Sequence, residues 1–390
     1  MKRPRIVVLG AAGAMGRITV RDLARSAAGR YRVVAADLVP EAIPRARGVI
    51  VMHADVTYSA SLARALDGAF AVIASLPYRY NLAAMHGALE AGAHYIDLGG
   101  LFHTTRKQLA LHRQFQRAGC MAILGVGSAP GILNLLAVLG ARGLDRVREI
   151  HCLVGAVDHS RYRGGPPLGF GYAPDTLLDE FTQDSAVFRR GAFRMVPPLD
   201  LQECVAVRFP APVGQQVVHT TLHSEVATLP LSFASRGVRE VTFRQAFEPE
   251  FLAKLQLVVQ LGLAGDAPLP GARGLTPRRV LLQLLRRFPP AQVIGRPQRY
   301  EVLRTVVRGT RAGKRVTCTV DCHAGPVAGW GVGPDADTGT PPSIVAQLLL
   351  SGEMAVRPGV WPVEQAVPVN PFVCELERRH MPVRRRKQLG

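Results

Sequence analysis

The chain has no apolar run approaching the roughly 18 uninterrupted residues that a membrane-crossing helix needs, so no span is expected. It also has no CxxC pair. Its six cysteines, Cys120, Cys152, Cys204, Cys318, Cys322 and Cys374, stand far apart, which argues against a disulfide framework and for free, buried thiols in a reducing cytoplasm. Cys318 and Cys322 lie beside His323, but within the strand-like run Arg315 to Cys322, so they read as sheet residues and no metal is expected. Aromatics are sparse at 6% and charged residues stop at 20%, while 48% of the chain is hydrophobic; that balance excludes a disordered protein and permits a large core. Lysine is nearly missing: five of the 48 basic residues, the rest being arginine. The formal charge of +19 attracts polyanions, yet the basic positions are not interleaved with aromatics as in single-strand binders. Part of the excess is local, in Arg378-Arg379 and Arg384-Arg385-Arg386-Lys387. The remainder reads as a solvated arginine-rich surface with no specific nucleic-acid partner. Lys2-Arg3 before an apolar stretch has the look of a secretory leader, but a glycine turn breaks the run at once, so a cytoplasmic protein is expected.

What the chain does have is a first turn around which the rest is organised. Gly10-Ala-Ala-Gly13-Ala-Met-Gly16 follows the apolar run Ile6 to Leu9 and opens a helix-like stretch from Arg17. A strand, a glycine-rich turn and a helix N-terminus make a pyrophosphate site. Gly10 permits the turn, Gly13 lets backbone approach phosphate, and Gly16 lets helix pack on strand. The backbones of Ala12, Ala14 and Met15 complete the predicted cradle. A second apolar run, Tyr31 to Ala36, ends in Asp37, about 20 residues past the last glycine, where a carboxylate accepts from ribose hydroxyls. Asp37 repels a 2′-phosphate and no arginine follows it in Leu38 to Glu41, so NAD is favoured over NADP.

Regular β-α alternation continues to about residue 128, the pattern of a parallel sheet covered by helices. Val49 to Val56 reads as a third strand, whose Asp55 and Val56 either border the adenine or lead the next helix with Asp55 as its cap. Ser75, Leu76, Pro77 and Tyr78 follow the fourth strand and border the nicotinamide half. His94 to Leu98 closes on Gly99-Gly100; a helix over Thr104 to Ala118 and a strand over Met121 to Val126 follow. Beyond Gly127-Ser-Ala-Pro130-Gly131 and one helix, alternating strand-like runs predominate, such as Val241-Thr-Phe243-Arg. At 390 residues two domains are the default. The expectation is therefore an α/β fold: a Rossmann-type doubly wound parallel sheet over 1–128, completed by C-terminal helices in 340–380. A second α+β domain over 129–339 is built on a mixed, largely antiparallel sheet, and 381–390 form a basic tail.

Several ordered motifs together resemble the saccharopine dehydrogenase-like family, which includes saccharopine reductases, carboxynorspermidine dehydrogenases and lysine 6-dehydrogenases. They are the first glycine turn, Tyr95-Ile-Asp-Leu-Gly-Gly100, Gly127-Ser-Ala-Pro-Gly-Ile-Leu-Asn134, Pro166-Pro-Leu within Gly155 to Gly171, His223-Ser-Glu-Val-Ala-Thr-Leu-Pro230 and Asp337-Thr-Gly-Thr-Pro-Pro342, with Gly352-Glu-Met and Gly359-Val-Trp-Pro362 behind them. The resemblance implies C-terminal helices returning to the nucleotide domain, a homodimer, and hydride transfer at a carbon bearing an amine. Saccharopine reductases carry Asp-Pro-Gly where this chain has Ala129-Pro130-Gly131, which places it nearer the lysine 6-dehydrogenase branch. His223-Ser-Glu225 is not expected of every lysine dehydrogenase, so the branch stays open.

Amine oxidation needs a group that handles protons near neutral pH. The candidates are Tyr78, Asp97, His103, His223 and Glu225. His223 and Glu225, two residues apart, share one face if they lie on a strand, and the carboxylate then sets the imidazole tautomer or anchors an ammonium; otherwise they are a buried histidine and a salt-bridged glutamate. Asp97 suits a ribose or amine contact, or a turn cap. Arg161, Arg163 and Arg244 are candidate clamps for a substrate carboxylate. Oxidation of L-lysine at its 6-amine ranks first, a secondary amine such as saccharopine or carboxynorspermidine second, and a nucleotide- or polyanion-binding protein without chemistry third.

Overall fold

The computed structural model describes residues 3–271, 274–327 and 335–389. Positions 1–2, 272–273, 328–334 and 390 lie outside them. The first layer alternates as expected: β1 (Arg5–Leu9), α1 (Ala14–Ser26), β2 (Arg32–Asp37), β3 (Val49–His53), α2 (Ser59–Leu66), β4 (Ala71–Ala74), α3 (Asn81–Glu90), β5 (His94–Asp97), α4 (Phe102–Leu109), α5 (His112–Arg117) and β6 (Met121–Leu124). The single helix expected over 104–118 is two, separated at Ala110 and Leu111, and β3 stops at His53, before Asp55. Wholly buried strands such as β4, Ala-Val-Ile-Ala, are apolar on both faces because helices cover both sides.

The second part contains α6 (Ile132–Ala141), β7 (Arg146–Asp158), β8 (Arg161–Arg163), α7 (Pro174–Thr182), β9 (Ser185–Arg189), β10 (Ala192–Val196), β11 (Val205–Arg208), β12 (Gln215–Thr220), α8 (Glu225–Ser232), β13 (Glu240–Ala246), α9 (Pro249–Gln260), α10 (Pro277–Leu285), β14 (Gln292–Ile294), β15 (Arg299–Arg311) and β16 (Lys314–Ala324). Then α11 (Ala336–Gly339), α12 (Pro341–Ser351), β17 (Gly359–Pro362), α13 (Val363–Ala366) and α14 (Val369–Arg378) return to the first layer, and β18 (Val383–Leu389) ends the described chain.

Seven parallel strands form the first sheet, in the order β17-β6-β5-β4-β1-β2-β3. The second sheet has nine strands along β10-β9-β13-β7-β15-β16-β18, with β12 and β11 attached through β13; only β13 and β7 are parallel neighbours. Helix α6 packs on β7, β15 and β16 of the second sheet and is covered by α8, α13 and α14. Its close approach needs Gly140, where a Cβ would sit 2.7 Å from the Val307 side chain, and is pinned by the Thr305 hydroxyl donating to the Leu133 carbonyl at 2.9 Å.

The returning segment is stitched to α1. Thr19 donates to the Gly339 carbonyl at 2.7 Å, and buried Asp22 accepts from Ser343 at 2.6 Å and from both guanidinium branches of Arg379. Residues 383–389 are not a loose basic tail. They pair with β16 as an edge strand, in which Arg386 reaches buried Asp321 at 3.0 Å and outward arginines keep the open edge charged. Strand β17 was invisible in a proline-flanked tetrapeptide, Gly-Val-Trp-Pro, yet it extends the first sheet beside β6. Among the described residues, no helix is long and apolar enough to cross a membrane.

Candidate active site

The opening turn has the geometry its glycines require. Gly10 has φ +74°, and a Cβ there would stand 2.3 Å from the Ser75 carbonyl oxygen; a Cβ on Gly16 would stand 2.1 Å from the Gly10 carbonyl oxygen. Gly13 is the N-cap of α1 and faces open space apart from the Gly10 oxygen. Ala12, Ala14 and Met15 are solvent-accessible around it. No side chain caps α1, so its first amide groups are available to phosphate oxygens. Asp37 closes β2 with its carboxylate partly exposed, and accepts from the Ala12 amide at 2.9 Å and the Val39 amide at 3.0 Å. The same carboxylate thus braces the glycine turn. Asp55 does not cap α2, whose N-cap is Tyr58. It closes a turn over Thr57, and those hydrogen bonds hold its pKa below the usual value; Val56 lies partly exposed beside it.

On the other side of the turn, Ser75 leaves its buried hydroxyl without a partner, and Leu76 and Pro77 lead along the turn toward Tyr78. Gly99 has φ +107°, and a Cβ there would strike the Pro130 ring at 2.3 Å, so the ends of β5 and of the 127–131 loop close on each other. Ser128 in that loop is tied to Thr338 of α11, hydroxyl to hydroxyl, at 2.8 Å. These residues fit a nicotinamide dinucleotide, with an orphan hydroxyl along its path and a turn that side chains would fill.

The proton-handling candidates do not gather at one place. Asp97 is fully buried and committed: it accepts from the amides of Gly99 and Gly125 and from Gln108 at 2.6 Å. Burial lifts its pKa while those bonds oppose the lift. It builds the floor beneath the two glycine loops. His103 lies exposed on α4, its ring edge-on to Phe102. Tyr78 turns to the second domain and donates to Asp179 of α7 at 2.7 Å; burial and that carboxylate push its pKa to about 12.

His223 and Glu225 do meet, though not on a strand. Glu225 opens α8, and its Oε2 lies 2.6 Å from His223 Nδ1, while the imidazole stacks on Phe243 at 3.9 Å. Burial opposes charging of His223, but Glu225, with Glu180 beyond it, more than offsets this and raises its pKa. Glu180 on α7 is buried, accepts from Tyr172 at 2.7 Å and Gln245 at 2.8 Å, and is pushed by burial to about 7. Arg244 is no substrate clamp: it is buried and spent on Glu203 and Thr242. Arg161 and Arg163 are exposed on β8.

Two family descriptions tile the chain: the saccharopine dehydrogenase NADP binding domain over residues 6–123, and the saccharopine dehydrogenase C-terminal domain over residues 127–381. The chain belongs to the saccharopine dehydrogenase family. As a member it is an NAD(P)-dependent oxidoreductase. It is similar to the carboxynorspermidine synthase of Vibrio cholerae, 26% identical over 77% of this chain and 74% of that one. It is also similar to the carboxyaminopropylagmatine dehydrogenase of Synechocystis, 24% identical over 79% of this chain and 77% of that one. Among solved structures, the apo saccharopine dehydrogenase (L-Glu forming) of Saccharomyces cerevisiae shares the fold at a TM-score of 0.72, with 15% identity, over 99% of this chain and all of that one.

Three acidic residues at the site escaped sequence reasoning: Glu180, Glu301 and Asp337. Glu180 sits on a helix that Pro174, Asp175 and the apolar Leu177, Leu178 and Phe181 do announce. Glu301 occupies an inward position of β15, which only the pairing register reveals. Asp337 opens the Asp337-Thr-Gly-Thr-Pro-Pro342 motif, in which nothing in the sequence singles out its carboxylate.

Proposed function

We propose that this saccharopine dehydrogenase family member interconverts a secondary amine and its imine on a carboxyl-bearing polyamine chain. The names of both curated relatives describe such molecules, a polyamine or agmatine carrying a carboxyl group. Lysine 6-dehydrogenase, the first-ranked expectation, therefore gives way to the carboxynorspermidine-type alternative. The observation that carries the reading is the buried His223–Glu225 pair at 2.6 Å with Glu180 near it, an acidic cluster in a chain of net charge +19. Such a cluster favours a cation that the protein's overall charge repels.

A bound nicotinamide supplies the hydride acceptor or donor. In the oxidative direction, the amine carbon loses hydride, the nitrogen lone pair forms the C=N bond, and the N–H proton leaves. His223 takes that proton, with Glu225 fixing its tautomer and stabilising the imidazolium; in the reductive direction His223 returns it. Phe243 holds the ring plane.

Asp37 supports NAD as the preferred coenzyme. Arg17 lies nearby with its guanidinium on the Ala42 carbonyl, so a 2′-phosphate meets a cation as well as a carboxylate and the preference is one of degree. Absorbance at 340 nm with NAD and each of carboxynorspermidine, saccharopine and L-lysine tests the reading. The carboxylated polyamine should turn over at least about tenfold faster in kcat/KM than the other two; a clear preference for L-lysine would restore the first-ranked expectation.

A further inference from the structure

The inward face of the second sheet carries more acid than the proton step needs. Thr305, Leu303 and Glu301 of β15 point in sequence toward α6 and past its N-terminus, since Thr305 contacts the Leu133 carbonyl and Glu301 lies four residues further along. At that point Asp337 arrives from α11, next to Thr338, which is tied to Ser128 of the coenzyme loop. Glu301 and Asp337 stand close enough that each carboxyl group feels the other's charge.

Asp337 is 2% exposed, and its Oδ2 has no hydrogen-bond partner. Neither Asp337 nor Glu301 forms an ion pair among the described residues; the neighbouring Arg299 is spent on Asp158 and Asp335. Two apposed carboxyl groups without a cation are costly away from water, and here desolvation pushes half-buried Glu301 up to about 7 and buried Asp337 well above its ordinary value. A structural ion pair would have supplied an arginine, which this chain has in abundance.

The pair also continues toward the proton-handling cluster. Tyr172, whose hydroxyl donates to Glu180, lies close enough to Glu301 to feel its charge. Acidic groups therefore follow one another in space from His223–Glu225 at the start of α8, through Glu180 of α7, to Glu301 of β15 and Asp337 of α11.

We propose that Glu301 and Asp337 form a second subsite, which binds a cationic nitrogen of the substrate, ammonium or guanidinium, one linker away from the reacting amine. The orphaned Asp337 oxygen and its apposed Glu301 receive the cation's N–H groups, and Glu180 lines the path between. This rests on the polyamine reading above and adds the residues that measure chain length and charge.

Calorimetric titration of the protein with NADH present tests it, using propylamine, 1,3-diaminopropane, norspermidine and agmatine as probes. On the wild-type protein, each added cationic group within reach should tighten binding by about tenfold. In Glu301→Gln and Asp337→Asn, norspermidine and agmatine should each weaken by about tenfold or more, while propylamine and NADH bind as before. Agmatine binding alone would assign the subsite to guanidinium, norspermidine alone to ammonium. Equal affinity for propylamine and norspermidine on the wild-type protein, or variants that bind norspermidine as tightly as wild type, would overturn the subsite. Those results leave the polyamine reading intact if carboxynorspermidine is turned over. Conversely, charge-dependent binding lost in the variants, without turnover, would sink that reading and keep the subsite.

Discussion

Glu225 is held at 0% exposure against an imidazole, and its value lies in what it does to that ring. With Glu225→Gln the larger of the two carboxylates raising the His223 pKa is removed, and burial, which lowers it, is opposed by Glu180 alone. In the reductive direction, activity that depends on imidazolium should then be lost at lower pH than in wild type. The pH profile of kcat reads this directly; an unmoved basic limb would deny His223 the proton role. Glu180 makes a separate prediction about stability. Its folded pKa of about 7 lies above the ordinary 4.5, so between those values the unfolded chain has released a proton that the folded chain keeps. Stability from this group is therefore greatest below pH 4.5 and declines as pH rises toward 7. Glu180→Gln should flatten that decline in a series of Tm measurements across the window, and an unchanged slope would contradict it.

Strand β18 shows how an element can be hidden by its composition. Val-Arg-Arg-Arg-Lys-Gln-Leu reads as a solvated charge run, but one of its arginines completes a buried cluster in which Asp321 accepts from Arg304 at 2.6 Å and from Arg386 at 3.0 Å. Asp321→Ala would leave Arg304, 7% exposed, without its carboxylate, and should cost about 3 kcal/mol or more in denaturant unfolding. Arg386→Ala removes only an exposed partner and should cost under about 1 kcal/mol. Equal costs would mean that the edge strand, and not the buried pair, holds this side of the sheet. Most of the first-layer elements up to β6 were legible because an apolar run or helical spacing is closed by a glycine or a turn residue, as Leu9 is by Gly10 and Leu124 by Gly125. Helix α8 was not: His223 to Pro230 contains a proline and follows a strand, so its periodicity is too short to separate from sheet. The close meeting of His223 and Glu225 survived that error because two residues at that spacing can touch across a helix start as well as along a strand.

At the scale of the molecule, the glycine turn, Asp37 and the 127–131 loop were readable from sequence, since each needs a specific residue at a specific place. The acids from the second domain were not, because they reach the site through pairing of β15 with β7 and through the return of α11 to α1. The net charge of +19 adds a bulk consequence: retention on heparin should collapse as salt rises from about 50 to 200 mM, without altering coenzyme affinity. The central claim is that a nicotinamide dinucleotide lies against the start of α1. Gly13 tests it most cleanly, because a Cβ there meets only the Gly10 oxygen at 3.2 Å, so Gly13→Val needs a shift of only a few tenths of an ångström in the turn while filling the phosphate approach. Fluorescence titration of NADH against both proteins should give saturable binding to wild type and a loss of about a hundredfold or more in the variant at unchanged Tm. Absence of NADH and NADPH binding to wild type, or equal affinity in the two proteins, would contradict the account.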